Sequence, residues 1–380
     1  MGLYAKYLKR ADSSGRGSKR KRGGRGTFLL SLMLILVIVI SGCGASPQSA
    51  SPAGASSAGN TTDDPASKAV SSEDGGSTGN TLTLMIYLCG SDLESKTGAA
   101  TKDLDEIVAS GVNTDLVNVV VMAGGTTQWQ NGFSHEETAV YFLTAGDSTA
   151  DGGTTGTGGT IGTTEAGGTG GTAGTTKAGS GLTWEKKETF ASQEVEYAPA
   201  NMGESSTLKA FLDYSHDRFP ADKYALILWD HGGGPMRGLC WDTAWAKDCL
   251  TMEELTGALK DSPFAEEKLS WIGFDACLMS SVETAHLIAP YAEYMIASEE
   301  TEPCVGWSYD YLAEIEKDKN GGETGVRIVD SFMAAGEAAS EAADKESSLT
   351  LACMDLSQLA EVEEKLDRNW RWSCILSTWT

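Results

Sequence analysis

Two residues with reactive side chains each follow an apolar run of strand length. His231 comes shortly after the run Tyr224–Trp229 and is followed by three glycines. Cys277 comes shortly after a second run, residues 269–274. Ligands bind at the carboxyl ends of the strands in an open parallel sheet, so we expect both residues at one sheet edge. A cysteine beside a histidine there can act as a nucleophile.

The local sequence around each residue fits that chemistry. A helix is expected directly behind Cys277, and a helix N-terminus favours the thiolate form. The glycines after His231 would let a substrate approach the backbone closely, and the N–H groups of Gly232 and Cys277 are the expected donors to an oxyanion. Taken singly, each residue has an ordinary alternative, a buried structural cysteine and a loop histidine. Their shared position at strand ends favours a His–Cys dyad.

The other histidines are poor candidates for the base that acts on Cys277. His286 would lie nine residues along the same expected helix, about 13 Å away along its axis, which is too far for a base. His135 and His216 lie outside any strand-end context and are expected at the surface.

The elements that must position these residues form an alternating pattern. Apolar runs predict strands, and stripes of helical spacing predict helices between them, which together indicate a mostly parallel sheet in an αβα sandwich. Ser91 or Asp92 is expected to cap the first helix. Strands are expected at residues 82–89, 116–122, 138–143, 182 onward, 224–229, 269–274, 294–297 and 348–354. Helices are expected around residues 104–108, 208–212, 251–260 and 278–288.

Residues 145–181 interrupt this pattern with a stretch composed mostly of glycine, threonine and alanine. A segment of such low complexity predicts neither a helix nor a strand. We expect a long insertion at the tip of a hairpin formed by the strand at 138–143 and the strand that starts near Leu182.

The N-terminal part of the chain has the anatomy of an exported lipoprotein. A basic segment precedes an apolar run of about 13 residues, shorter than the roughly 20 that span a bilayer. This predicts a signal peptide over residues 1–42, and the box Ile40-Ser41-Gly42-Cys43 predicts cleavage before a lipidated Cys43. The alternative is an uncleaved anchor. Residues 43–80 predict a flexible tether, and residues 81–380 a folded domain that can continue beyond the last residue.

Composition excludes some function classes. The formal net charge is −24 although the N-terminal segment is basic, so the rest of the chain is strongly acidic and disfavours nucleic acid as a partner. Such a surface attracts cationic substrates or divalent cations, or serves solubility alone. The eight cysteines form no CxxC pair, which disfavours a structural metal site. Cys240 and Cys249 could form a disulfide outside the cytoplasm.

Four segments resemble clostripain-type cysteine peptidases. They comprise Met85–Glu94 (MIYLCGSDLE), Trp229–Gly234 (WDHGGG), Gly273–Met279 (GFDACLM) and Ala297–Pro303 (ASEETEP). The resemblance covers roughly residues 82–310. Two departures stand out, Cys304 in place of an expected glycine and the insertion at 145–181, which is not a feature of the family.

The resemblance implies a caspase-like α/β fold, a dyad of His231 and Cys277, and an endopeptidase that cuts protein or peptide substrates after Arg or Lys. It implies no cofactor for the chemistry, although Ca²⁺ can support activity, with ligands left unknown. It also implies self-cleavage between the histidine and cysteine motifs. The segment 235–270 offers Arg237, Lys247, Lys260 and Lys268 as cleavage sites. Lys247 is favoured because it precedes the expected helix at 251–260 in an exposed stretch.

Asp275 is the candidate specificity residue. It ends its strand two residues before Cys277, where a carboxylate can face the pocket for the residue before the scissile bond and pair with Arg or Lys. The resemblance points to the same residue, with Glu299 or Glu300 at the next strand end as a second acid. The alternative is that Asp275 only caps the helix behind it.

The sequence therefore predicts an extracytoplasmic, lipid-anchored cysteine endopeptidase. Two alternatives remain open. One is an inactive surface-binding lipoprotein on the same fold, and the other is a cysteine amidase that acts on cell-wall peptides.

Overall fold

The computed structural model describes residues 80–146, 181–196, 198–303, 306–343 and 349–377. The expected signal peptide, Cys43, the tether up to residue 79, Cys304 and nearly all of the insertion lie outside the described residues. Within them, no helix is long and apolar enough to cross a membrane.

Within the described residues, an eight-stranded sheet forms the centre of the domain, and a separate hairpin adds two short strands. These strands, in chain order, are β1 Leu82–Cys89, β2 Val117–Gly124, β3 Thr138–Ala145, β4 Leu182–Phe190, β5 Tyr224–Trp229, β6 Leu239–Asp242, β7 Asp248–Leu250, β8 Leu269–Asp275, β9 Ala292–Ala297 and β10 Ala352–Asp355. The sheet order is β10-β9-β8-β5-β1-β2-β3-β4, and β6 pairs with β7 alone. The five strands from β9 to β2 are parallel, whereas β3, β4 and β10 add antiparallel pairs at the two edges.

This strand order contains one reversal of direction across the sheet. The chain runs from β1 outward through β2, β3 and β4, then returns to place β5 on the other side of β1 and continues to β8 and β9. The crevice at the carboxyl ends of β1 and β5 is therefore the topological switch point, where open α/β sheets bind their ligands.

Helices cover both faces of the sheet. The helices are α1 Ser91–Thr97, α2 Ala99–Ser110, α3 Ser205–Arg218, α4 Met252–Lys260, α5 Val282–Ile288, α6 Gly321–Ala343 and α7 Leu359–Ser377, with 3-10 turns at Pro263–Ala265, Tyr309–Lys317 and Leu356–Gln358. One core contains the buried faces of α2 and α6, and the other contains those of α3, α4 and α5. Every residue of β1 is buried, and its alternate side chains enter the two cores, as in Leu84 and Met85. The αβα sandwich with a mostly parallel sheet is confirmed.

The expected strands all form, and β3 pairs with β4 to make the expected hairpin. The two ends of the insertion meet, because the Gly146 N–H donates to the Gly181 carbonyl at 2.5 Å.

The disulfide considered for Cys240 and Cys249 does not form. Both thiols are free, and the register of the β6–β7 hairpin places Trp241 opposite Cys249, so Cys240 sits at an irregularity of the ladder.

Candidate active site

The two loops that carry His231 and Cys277 are in direct contact. They follow β5 and β8, neighbours whose register pairs Trp229 with Asp275 at their carboxyl ends. A Cβ added to Gly232 would lie 2.0 Å from the Cys277 carbonyl oxygen, so this approach requires glycine. The sheet brings the two predicted residues to one edge, as their positions after the strands indicate.

Cys277 lies in a turn, and the expectation of a helix directly behind it is wrong. Leu278 adopts a left-handed conformation with φ of 66°, and α5 begins only at Val282. Ser281 is the true N-cap, since its hydroxyl accepts a hydrogen bond from the Thr284 N–H at 3.1 Å. The Cys277 sulfur instead accepts a hydrogen bond from the Glu302 N–H at 3.2 Å. A helix N-terminus therefore contributes nothing to activating this thiol.

Side chains from two other segments contact the His231 ring. Its Nε2 lies 2.8 Å from Oδ1 of Asp92, in the first turn of α1. Its ring meets the Trp241 indole edge-to-face with centroids 6.4 Å apart. The preceding residue, Asp230, is buried and accepts the Trp241 N–H at 2.7 Å and the Ser91 hydroxyl. Burial raises the pKa of Asp230 to about 7.

Hydrogen-bond donors are available beside the cysteine. The Gly233 N–H donates to the Gly238 carbonyl at 2.9 Å and so closes the loop onto β6. Within the described part of the chain, neither the Gly232 N–H nor the Cys277 N–H has a hydrogen-bond partner. Both remain free to bind an oxyanion, and that role stays a prediction.

Asp92 is a site residue that the sequence reasoning missed. Helix α1 begins at Ser91 without a side-chain cap, and the side chains of Ser91 and Asp92 instead reach the loop after β5. The second oxygen of Asp92 binds Lys96 at 2.7 Å. The Lys96 hydrogen bond, followed by that of His231, lowers the pKa of Asp92 to about 2. The sequence did offer a signal for Asp92, since this acidic residue follows the end of β1 by three residues, and β1 ends at the same sheet edge.

Asp275 is buried beneath the site rather than placed as a helix cap. It accepts hydrogen bonds from the Trp307 N–H at 3.2 Å and from the Tyr309 hydroxyl at 2.9 Å. Burial raises the pKa of Asp275 to about 7. The capping alternative is wrong, because Ser281 caps α5.

Asp103 and Glu302 complete an acidic cluster around Asp275. Asp103 accepts the Trp229 indole N–H at 2.7 Å, and Glu302 accepts the Trp307 indole N–H at 3.4 Å. Burial is the main cause that raises the pKa of both carboxyls, and the nearby Asp275 adds to it. Across the described residues, no lysine or arginine forms an ion pair with any of the three acids.

The sequence reasoning placed the second acid in the right segment but on other residues. Glu299 and Glu300 are exposed, whereas Glu302 is the acid of that segment in the cluster. Asp103 was missed as well. Its signal was a carboxylate on the buried face of α2, four residues before Ile107.

The remaining predicted residues lie away from the dyad. Lys247 is exposed in the turn between β6 and β7, with φ of 65°. His286 binds Glu363 at 2.7 Å, His135 is exposed, and His216 is half-buried against Tyr224. No group of three or more His, Cys, Asp or Glu among the described residues is arranged to hold a metal ion. We therefore assign no calcium ligands.

The fold and the paired strand-end residues define a class of three-layer α/β proteins with a histidine and a cysteine at one sheet edge. Within that class, the chain belongs to the clostripain family (Peptidase C11) of cysteine proteases, whose sequence model matches residues 86–371. The resemblance seen in the four sequence segments is thereby confirmed.

Two known proteins illustrate the relationship. Clostripain of Hathewaya histolytica is 34% identical over 143 residues, which cover 33% of this chain but only 26% of clostripain. A secreted C11 cysteine protease of Bacteroides thetaiotaomicron, solved with an irreversible peptide inhibitor, superposes with a TM-score of 0.52 at 18% identity. That superposition covers 74% of this chain and 68% of the Bacteroides protein, and it supports the fold.

Proposed function

We propose that the protein is a cysteine endopeptidase in which His231 and Cys277 form the catalytic dyad. The observation that carries this proposal is the contact between Gly232 and the Cys277 backbone, because it sets the histidine loop beside the cysteine. His231 takes the thiol proton, and the sulfur attacks the scissile carbonyl. The Gly232 and Cys277 N–H groups bind the oxyanion. His231 then gives its proton to the leaving amine, and water hydrolyses the acyl-enzyme.

We further propose that the enzyme cleaves after Arg or Lys. A substrate cation entering beside Cys277 would meet the carboxyls of Asp103, Asp275 and Glu302, none of which has a basic partner among the described residues. Asp103 and Asp275 are buried, and burial without a partner favours their uncharged form. A guanidinium or ammonium group would supply that partner and favour their ionised form. A planar guanidinium can bind two carboxylate oxygens at once, which favours Arg over Lys.

The test is a substrate panel assayed with wild type, Cys277→Ala and His231→Ala. Peptides with Arg, Lys, Glu or a D-amino acid before the scissile bond separate the candidate activities. We expect cleavage after Arg and Lys that both substitutions abolish, and iodoacetamide labelling of Cys277 that denaturation removes. Turnover by Cys277→Ala above a tenth of wild type would overturn the nucleophile assignment. Cleavage of D-amino-acid peptides alone would favour the amidase. Absence of turnover on every peptide would favour the inactive binding protein.

The location outside the cytoplasmic membrane is a separate proposal that rests on the box ending at Cys43. Several acyl chains on the N-terminal cysteine would hold the domain firmly at the membrane. Metabolic labelling with a fatty-acid analogue should mark wild type and fail to mark Cys43→Ala, which should leave the membrane fraction. Absence of label from wild type would refute lipidation.

Self-processing at Lys247 is supported by the exposure of that turn on the hairpin. Mass spectrometry of purified wild type should show a new N-terminus at Asp248 that is absent from Cys277→Ala and from Lys247→Gln. Equal fragments in wild type and Cys277→Ala would indicate a contaminating protease. Calcium dependence remains a prediction, to be tested by adding a chelator to the wild-type assay.

A further inference from the structure

The first two residues of α1 contact the histidine loop with their side chains. Ser91 donates its hydroxyl to the Asp230 carboxylate, and Asp92 binds the His231 ring at 2.8 Å. Ser91 adopts a left-handed backbone conformation with φ of 43°, which a residue with a side chain rarely takes. Backbone strain of this kind persists where surrounding contacts over-determine it, and it clusters at active sites.

We propose that Asp92 is the positioning residue of the active site, whose carboxylate holds the His231 imidazole through Nε2 and leaves Nδ1 to exchange the proton with Cys277. This inference rests on the proposed peptidase function and adds a third member to the dyad. Its basis is the direct contact between Asp92 Oδ1 and the ring, made across the switch point between β1 and β5. A carboxylate in that position fixes the ring orientation and favours the imidazolium that forms when the thiol is deprotonated.

The charges around the ring support a specific effect of Asp92. Lys96 on α1 binds the outer oxygen of Asp92 and keeps it ionised, with a pKa of about 2. Among the described residues, Asp230 in the same loop also interacts with His231, and Cys277 after β8 contacts the backbone of the next residue, Gly232. The Asp230 carboxylate is occupied by Ser91 and the Trp241 N–H. Asp92 is thus the acid in direct contact with the ring.

Three substitutions separate the charge of Asp92 from its shape. Asp92→Asn keeps a hydrogen-bond acceptor near Nε2 but removes the charge, Asp92→Ala removes both, and Asp92→Glu retains a carboxylate. The matched control is Asp213→Asn, because Asp213 forms the same kind of i,i+4 pair with Lys209 on α3 at a similar exposure. That pair touches no histidine of the site.

We expect Asp92→Asn to lower kcat by about 10- to 100-fold with little change in KM, and Asp92→Ala to lower it further. Asp92→Glu should restore kcat at least in part, because it returns a carboxylate to the ring. Asp213→Asn should change neither quantity. A fall in kcat that Asp92→Glu does not restore would mean a merely structural role and would overturn the proposal.

An NMR measurement of the imidazole nitrogens keeps this test independent of peptidase activity. The chain contains only four histidines, so His231 can be assigned by comparison with His231→Ala. In the Cys277→Ala background, Asp92→Asn should shift the Nε2 resonance of the His231 ring, because its hydrogen-bond partner changes from a carboxylate to an amide. An unchanged Nε2 resonance overturns the role of Asp92. A wild type without Cys277-dependent turnover instead refutes the peptidase function, whatever this resonance does.

Discussion

Replacing Gly232 by alanine is the sharpest test of the contact between the two catalytic loops. The added Cβ would lie 2.0 Å from the Cys277 carbonyl oxygen and 3.0 Å from both its carbonyl carbon and its nitrogen. An ordinary carbon–oxygen approach is about 3.3 Å, so the two loops must separate by roughly 1.3 Å. The clash is with backbone, which cannot rotate away as a side chain can.

Gly232→Ala should impair catalysis more than it destabilises the fold. Overpacking of this kind destabilises a fold by about 1–3 kcal/mol. A shift of about 1 Å between the reacting groups costs on the order of 10²-fold in rate, and loss of one oxyanion donor costs about 10²- to 10³-fold. We therefore expect Gly232→Ala to lower kcat on an Arg peptide at least 100-fold, with a smaller change in KM.

The assay combines steady-state kinetics, thermal unfolding and the rate of Cys277 alkylation by iodoacetamide. The matched control is Gly257→Ala on α4, where the nearest neighbour of the added Cβ is the Ser205 hydroxyl at an ordinary 3.5 Å. That control should gain about 0.5–1 kcal/mol of stability from helix propensity and keep its kcat. A Gly232→Ala enzyme with kcat within threefold of wild type would refute the inferred contact and the oxyanion role together.

Three further outcomes are expected. Asp275→Asn should cut kcat/KM for Arg peptides by about 100-fold or more. The rate of Cys277 alkylation and the melting temperature should change little. If this variant keeps its preference for Arg, the specificity role moves to Asp103 or Glu302. Burial raises the pKa of Asp275 to about 7, so this carboxyl is protonated and uncharged below that pH and ionised above it. KM for Arg peptides measured from pH 5 to 9 should therefore rise as the pH falls below about 7, and a flat profile would contradict pairing with Asp275. Ser281→Ala should lower the free energy of unfolding by about 1 kcal/mol because it removes the true cap of α5, and denaturant unfolding with unchanged stability would place the start of that helix elsewhere.

Much of the fold follows from the sequence because its strands are apolar on both faces. A run such as Tyr224–Trp229 is buried on both sides of a parallel sheet, so its continuous apolar character predicts both the strand and its covered position. The reactive residues after β5 and β8 could be predicted to share an edge for the same reason. The start of α5 could not, because the left-handed turn at Leu278 depends on contacts such as the hydrogen bond from the Leu278 N–H to the Glu300 carbonyl.

The sequence by itself determined the strands, the helix pattern and the two residues that can carry covalent chemistry, since these depend on local periodicity and side-chain type. Tertiary structure alone decided which acids join them. Asp92 reaches His231 because the sheet order places β1 beside β5, a pairing between segments more than 130 residues apart. Glu302 joins Asp275 because Trp307 donates its backbone N–H to Asp275 and its indole N–H to Glu302. Such neighbours are set by strand pairing and packing between distant segments, which no local pattern encodes.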